Sequence, residues 1–190
     1  MRRKQRFTWH YCVRMCMVSL SNIEIIGAVL NSIKKGFISE SIALKMIEEG
    51  IGTKDLVDQN YYPASGFLTA LNKIGEKIGA ASLMKVGSKI MESAVWPPNV
   101  TNLEQGLASI NEAYKMNHRP NDPKKIGEYQ FKKIKDAEYE IHCTNPYPCD
   151  FDQGLVMGVA KRFNSKAVVL HSQESCRKKG QDQCIYKVRG

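Results

Sequence analysis

The chain predicts an α+β fold, an antiparallel sheet covered by helices and preceded by an N-terminal helical segment. Two observations predict it. Apolar residues recur at a spacing of about 3.6 from residue 19 to residue 116, then switch to alternation after Pro120-Asn121-Asp122-Pro123. Helical spacing returns once, between residues 150 and 163, with further strand patterns behind it. With 190 residues, 43% of them hydrophobic, the chain is at the upper end of a single domain and carries enough apolar matter for a sizeable core.

The first 18 residues read as a basic head. Arg2, Arg3, Lys4, Arg6 and Arg14 all precede the first acid, Glu24, so five of the net +9 charges sit there and the remainder of the chain is +4. Such a head suits nucleic acid, anionic lipid or plain solvent, and no reading helix or aromatic–basic alternation follows it. The apolar run from Cys12 to Leu30 is interrupted by Arg14, Asn22 and Glu24, which argues against a membrane span. No small-residue cleavage site follows an apolar run, so a cytoplasmic protein is expected.

Residues 19–58 are expected to be helical. Ser19 or Ser21 can cap a helix to Lys35, with Ile23, Ile26, Leu30 and Ile33 on one stripe and Gly36 as its stop. Ser39 can cap a second helix over 40–49, ended by Gly50, and Thr53 a short third through Val57. The ligand-binding domain is placed at 59–190. Tyr61-Tyr62-Pro63 opens it. Phe67, Leu68, Leu71, Ile74 and Ile78 mark a helix, Gly79 a break, and residues 80–93 a further helix ended by Pro97-Pro98. Asn102 caps a helix over 103–116.

Strands follow at 126–131 and 134–143, with Ala137, Tyr139, Ile141 and Cys143 on the covered face and Glu138, Glu140 and His142 on the wet face. After Asn145-Pro146-Tyr147-Pro148, a helix from Asp150 carries Phe151, Leu155, Val159 and Phe163 on one stripe. Gly154 and Gly158 on an adjacent stripe permit a close helix neighbour, at about 1 kcal/mol each in propensity. Asp150 and Asp152 are assigned to that helix's N-terminus. Residues 167–172, apolar on both faces, are expected at the centre of the sheet, and 184–188 form the last strand.

Six cysteines in a chain without an export signal exceed what packing needs. Cys149 sits at a helix start, where backbone N–H groups favour a thiolate. Cys176 and Cys184 flank a turn through Gly180. Three thiolates from separate elements suit a structural zinc, with His171 as first choice for the fourth ligand and Cys143 or Glu174 as alternatives. Burial of these cysteines as small hydrophobes is the competing reading. His118 suits a helix C-cap, a pocket polar group or a haem ligand; His10, Cys12 and Cys16 make a partial second metal set; His142 is expected to be exposed. There is no phosphate loop, nucleophile elbow or His-Glu-x-x-His helix, so a binding module is expected rather than an enzyme. Aromatic residues near the helix–sheet boundary can line an apolar pocket. Trp96, Tyr114, Asn117, His118 and Tyr129 are its candidate residues.

Pro148-Cys149 through Gly154 and Gly158, then Cys176-Arg177-Lys178-Lys179-Gly180 and Cys184, resembles the 4-vinyl reductase domain family and the related sensory domains of phenol-responsive transcriptional activators. The likeness is best over residues 96–190. It implies an α/β ligand-binding fold, shared more distantly with haem nitric-oxide sensors, with zinc held by the three cysteines beside an aromatic-ligand pocket. Where the family has a glutamate ligand this chain has Gln173, a poor metal ligand, leaving His171 or Glu174 to substitute. The resemblance implies a homodimeric sensor for a small apolar, aromatic or tetrapyrrole-like ligand that signals through a partner protein. The alternatives are an enzyme or accessory protein of tetrapyrrole or aromatic metabolism, and a haem-binding gas sensor.

Overall fold

The computed structural model describes residues 20, 22–35, 42–92 and 94–190. The basic head, Cys12 and Cys16, the caps Ser19, Ser21 and Ser39, and Gly36 lie outside the described residues.

The first element is a strand, not a helix. β1 (Glu24–Ile26), with the β-branched pair Ile25 and Ile26, pairs antiparallel with β2 (Tyr61–Pro63), Ile25 opposite Tyr62. Tertiary pairing here overrides the helical spacing of Ile23, Ile26, Leu30 and Ile33. α1 (Gly27–Lys35) begins at Gly27, a position that only glycine fits, since a Cβ there would lie 2.0 Å from the Val57 carbonyl oxygen. α2 (Ile42–Ile51) follows. The expected helix at 53–57 is absent. The Thr53 hydroxyl accepts from the Asp55 N–H in a local turn, and the Val57 N–H donates to Tyr62 Oη, so the segment spends its caps on loop geometry.

α3 (Ala64–Lys77) and α4 (Ala80–Lys89) are separated by Gly79, whose φ of +110° breaks the helix as its sequence position predicts. A 3-10 turn, Ile90–Glu92, extends α4. Asn102 caps α5 (Leu103–Ala108) through Gln105 N–H at 2.9 Å. The single helix expected over 103–116 breaks at Ser109, and α6 (Ile110–Met116) completes it. β3 (His118–Arg119) adds to β1 on the side away from β2, giving the order β2-β1-β3.

The second sheet is antiparallel in the order β4-β5-β7-β6. Ile126, expected to begin a strand, instead ends the short α7 (Pro123–Ile126), since Asp122 caps the Lys124 N–H and Pro123 suits a first helical position. β4 (Tyr129–Lys135) and β5 (Glu138–Cys143) are joined by a tight turn at Asp136-Ala137, with Ala137 at φ +60°, which cuts the expected 134–143 strand short. α8 (Cys149–Phe163) follows, then β6 (Val168–His171) and β7 (Cys184–Arg189). β6 is an edge strand with Val168 and Leu170 exposed, so its apolar composition does not mark a central position. β7 is central instead, between β5 and β6. His142 is buried against Glu140 (2.9 Å), contrary to its expected exposure.

α4 and α8 cross at glycine contacts. A Cβ on Gly87 would lie 2.1 Å from Phe151 O, and one on Gly154 2.1 Å from Met84 O. This approach carries Phe151 and Leu155 of α8 into a continuous core with Phe67, Leu71 and Ile74 of α3. Among the described residues, no helix is long and apolar enough to cross a membrane.

Candidate functional site

Between α3, α6 and α8 lies an apolar cavity of about 40 Å³, and all five candidate pocket residues line it. That is room for about three water-sized groups. Trp96 comes from the loop after the 3-10 turn. Asn117 holds that loop: its Nδ2 donates to Val95 O (2.9 Å) and to Ala113 O (2.6 Å), and its Oδ1 accepts from Val95 N–H (3.1 Å). Asn117 therefore fixes Trp96 in place, and its polar atoms are all engaged. Trp96 Nε1 is buried with no hydrogen-bond partner.

His118 follows α6 and is 5% exposed. Its Nδ1 is 2.8 Å from Tyr114 O, which can only accept, so the ring carries its proton on Nδ1 and Nε2 accepts from Tyr147 Oη at 2.8 Å. Burial pushes the imidazole down to about 4, against the opposing backbone hydrogen bond, so it is neutral at pH 7. Tyr114 donates to Ile126 O (2.7 Å), and Tyr129 donates to Asp152 Oδ1 (2.6 Å). Burial raises all three lining tyrosines well above the ordinary phenol range. Sequence reasoning missed Tyr147, whose ring meets Phe151 at 5.3 Å and whose hydroxyl completes the His118 contact. Its place in a proline-bounded turn beside the helix start was the available signal.

Beneath the cavity lies a buried ion pair. Asp152 lies in the first turn of α8, the helix N-terminus expected for it, and is fully buried there. Its carboxylate accepts from Arg177 Nη2 (2.5 Å), Tyr129 Oη, Asn145 Nδ2 (3.2 Å) and Cys143 Sγ (3.3 Å). Burial outweighs these donors and pushes its carboxyl up to about 6. The sequence signal was a carboxylate in line with Cys149, Val156 and Val159 on a buried helix stripe. Arg177 also donates to Tyr147 O (3.0 Å) and, through its backbone N–H and Nε, to Cys184 Sγ (both 3.4 Å). One guanidinium thus bridges a wall of the cavity and the cysteines.

The four candidate metal ligands also converge. Donor atoms of Cys149, His171, Cys176 and Cys184 all lie within 4.8 Å of one another. Cys149 Sγ is 3.1 Å from Cys184 Sγ and 3.9 Å from Cys176 Sγ. The contact with Cys149, then the Arg177 charge and N–H groups, lower Cys184, while the same contact and burial raise Cys149. His171 Nε2 is buried without a partner, its ring 4.9 Å from that of Tyr186. Cys143 and Glu174 stand outside the set: Cys143 serves Asp152, and Glu174 is exposed.

The chain is similar to an H-NOX protein from Shewanella oneidensis solved in the Fe(II)NO ligation state, at 14% identity and TM-score 0.64, covering 87% of this chain and 98% of that one. It is also similar to the Shewanella oneidensis H-NOX domain in the Fe(II)CO state, at 14% identity and TM-score 0.61, covering 87% and 98%. An oxygen-binding H-NOX domain related to soluble guanylate cyclases matches at 15% identity and TM-score 0.59, covering 86% and 91%. No family model and no curated protein matches the chain.

At this identity the likeness is one of fold, and it corrects three expectations. The fold is the H-NOX architecture, not that of the 4-vinyl reductase domain, and the resemblance to that family and to phenol sensors is not upheld. The residues that carried it form a local unit of α8, β6 and β7, whereas the whole fold is decided with residues 20–119 included. The expected structural zinc falls with that assignment, because the metal named with this fold in the solved structures is iron, in ligation states and in haem.

The haem that accompanies the fold elsewhere is not matched by the lining here. The cavity is far smaller than a porphyrin. Haem iron takes His, Cys, Met or Tyr, and the lining offers His118, Tyr114, Tyr129 and Tyr147, each with its polar atoms already paired. Among the described residues, no lysine or arginine lines the cavity to meet propionates.

Proposed function

We propose that this chain is a small-molecule sensing module on the H-NOX fold, with its ligand in the cavity walled by Trp96, Tyr114, His118 and Tyr129. The observation that carries this reading is an apolar cavity at the junction of α3, α6 and α8, lined by Trp96, Tyr114, Asn117, His118 and Tyr129. Binding pockets combine apolar walls with a few directed polar groups. Occupancy would be felt at Tyr147 and Tyr129, and through them at Arg177, which offers a physical route toward a downstream partner protein.

The test is cavity filling. Ala113 is 3% exposed and lines the cavity. In Ala113→Leu the added methyl groups occupy the space, so saturable binding of small neutral molecules, followed by NMR shifts of the lining residues, is lost while the fold persists. Binding that survives the substitution unchanged places the ligand elsewhere and rejects the site.

We further propose that Cys149, His171, Cys176 and Cys184 are a ligand set for a thiophilic metal ion. The buried, unpaired His171 Nε2 beside three thiols supports this, since such a nitrogen costs stability unless something takes its lone pair.

A further inference from the structure

We infer that the open edge of β6 receives an extended, acidic segment of a partner protein as an added antiparallel strand. This names the chemistry of a downstream partner and rests on the sensing reading above for that partner's role, while its test needs no ligand in the cavity.

The two edges of the four-stranded sheet are unlike. β4 carries Lys132, Lys133 and Lys135, and its register shifts between Lys133 and Lys135. Charged side chains and irregular pairing keep an edge from accepting another strand. β6 has neither. It pairs with β7 in unbroken register, and its outward side chains, Val168 and Leu170, are 51% and 55% exposed.

The backbone agrees. The Ser172 N–H donates to Ile185 O (2.8 Å), so Ser172, Leu170 and Val168 turn their polar groups toward β7. Val169 and His171 alternate with them and turn theirs to the open side. Among the described residues no hydrogen bond reaches either N–H, and Val169 O accepts only from Gln153 Nε2 at 3.4 Å. Main-chain groups left open at strand spacing are what strand addition uses.

Charge selects the occupant. Lys187 stands opposite Leu170, and Lys166 lies two residues before β6. Neither forms an ion pair among the described residues. Arg189, opposite Val168, is 3.6 Å from Glu138, and Glu174 lies exposed beyond the far end of β6. A second copy of a chain with net charge +9 would bring like charge to this strip. The complementary strand is apolar beside Val168 and Leu170 and carries carboxylates at the Lys166 end, its C-terminal end in antiparallel addition. His171 ties this edge to the cluster, because its ring joins Cys149, Cys176 and Cys184 while its N–H faces the added strand.

The probe is a synthetic peptide of alternating valine and threonine ending in two glutamates, titrated into the isotope-labelled full chain. The expected result is saturable binding in which the Val169 and His171 amide protons move downfield and gain protection from exchange. Those of Val168 and Leu170, already bonded to β7, stay nearly still. Replacing the glutamates with lysines weakens binding about tenfold, as does the double variant Lys166→Glu, Lys187→Glu, the sum expected for two exposed charge pairs turned repulsive. A peptide N-methylated on its bonding residues does not bind. All substituted positions are exposed, so the fold persists.

Equal binding of the N-methylated peptide, or a response confined to other residues, overturns strand addition. Equal or tighter binding of the lysine-ended peptide overturns the acidic partner. No response at millimolar peptide overturns the inference and leaves the sensing module to the Ala113→Leu test. A mass that rises with concentration in the chain alone, with the Val169 and His171 amides shifting together, makes a second copy the occupant and overturns it too.

Discussion

Gly154→Ala tests how the α4–α8 crossing positions the site. In an isolated helix the change stabilises by about 1 kcal/mol. Here the new Cβ would lie 2.1 Å from Met84 O, 2.6 Å from Met84 Cα and 2.7 Å from Met84 C, all backbone atoms that no rotamer change can move. The helices must separate by roughly 1 Å to restore normal contact, and separation loosens the packing of Phe151, Leu155 and Val156. Overpacking of this kind costs about 1–3 kcal/mol, and the backbone contact puts this case at the upper end, so the net loss is about 2 kcal/mol after the propensity gain. Urea denaturation is the assay, with a lower midpoint and an unchanged slope. Two further variants grade the effect. Gly158→Ala meets Ser88 O at 2.6 Å and is expected to cost less. Gly75→Ala meets only Leu83 Cδ1 at 2.8 Å, a side-chain end that can swing aside, and is expected to be near neutral. Equal stability across the three, or stabilisation by Gly154→Ala, refutes the reasoning.

The buried titrating groups act in opposite directions. His118, lowered from 6.5 to about 4, supports the fold fully above pH 6.5, and that support drains as pH falls toward 4, about 3 kcal/mol in all. Asp152, raised from 3.8 to about 6, contributes stability that is complete below 3.8 and is lost as pH rises through 6. NMR titration of the His118 ring and the Asp152 carboxyl measures both, and a His118 value near 6.5 or an Asp152 value below 4 contradicts the burial argument. For the cysteine cluster, purified protein kept reduced is expected to contain close to one equivalent of a thiophilic metal, with Cys176→Ser losing both metal and stability. Metal-free protein whose stability is unchanged in Cys176→Ser rejects the ligand set.

The convergence of Cys149, Cys176, Cys184 and His171 was legible because each sits at an element boundary that the sequence marks: a Pro148 helix start, a turn through Gly180 and a strand end. Gly154 and Gly158 announced a helix crossing for the same reason, since glycine four residues apart on a helix has few other uses. What was not legible depended on partners far along the chain. β1 reads as helix because its pairing with Tyr61–Pro63 and His118–Arg119 lies outside any local window. Val168 to Leu170 reads as a central strand because nothing in four residues tells an apolar edge from a centre. Asp152 reads rightly as a helix-start acid, but its burial was not legible because its counter-ion, Arg177, is 25 residues away. The family likeness failed for a related reason: its motif lies in one corner of a fold whose identity rests on the whole.

Diffraction from crystals pressurised with xenon tests most directly whether the space inside this fold is a ligand site. Xenon enters dry apolar cavities and needs no polar partner. One ordered xenon is predicted between Trp96, Ile110, Tyr114 and Phe151, absent from Ala113→Leu crystals treated alike. Xenon density found only elsewhere, or none inside the chain, contradicts the placement.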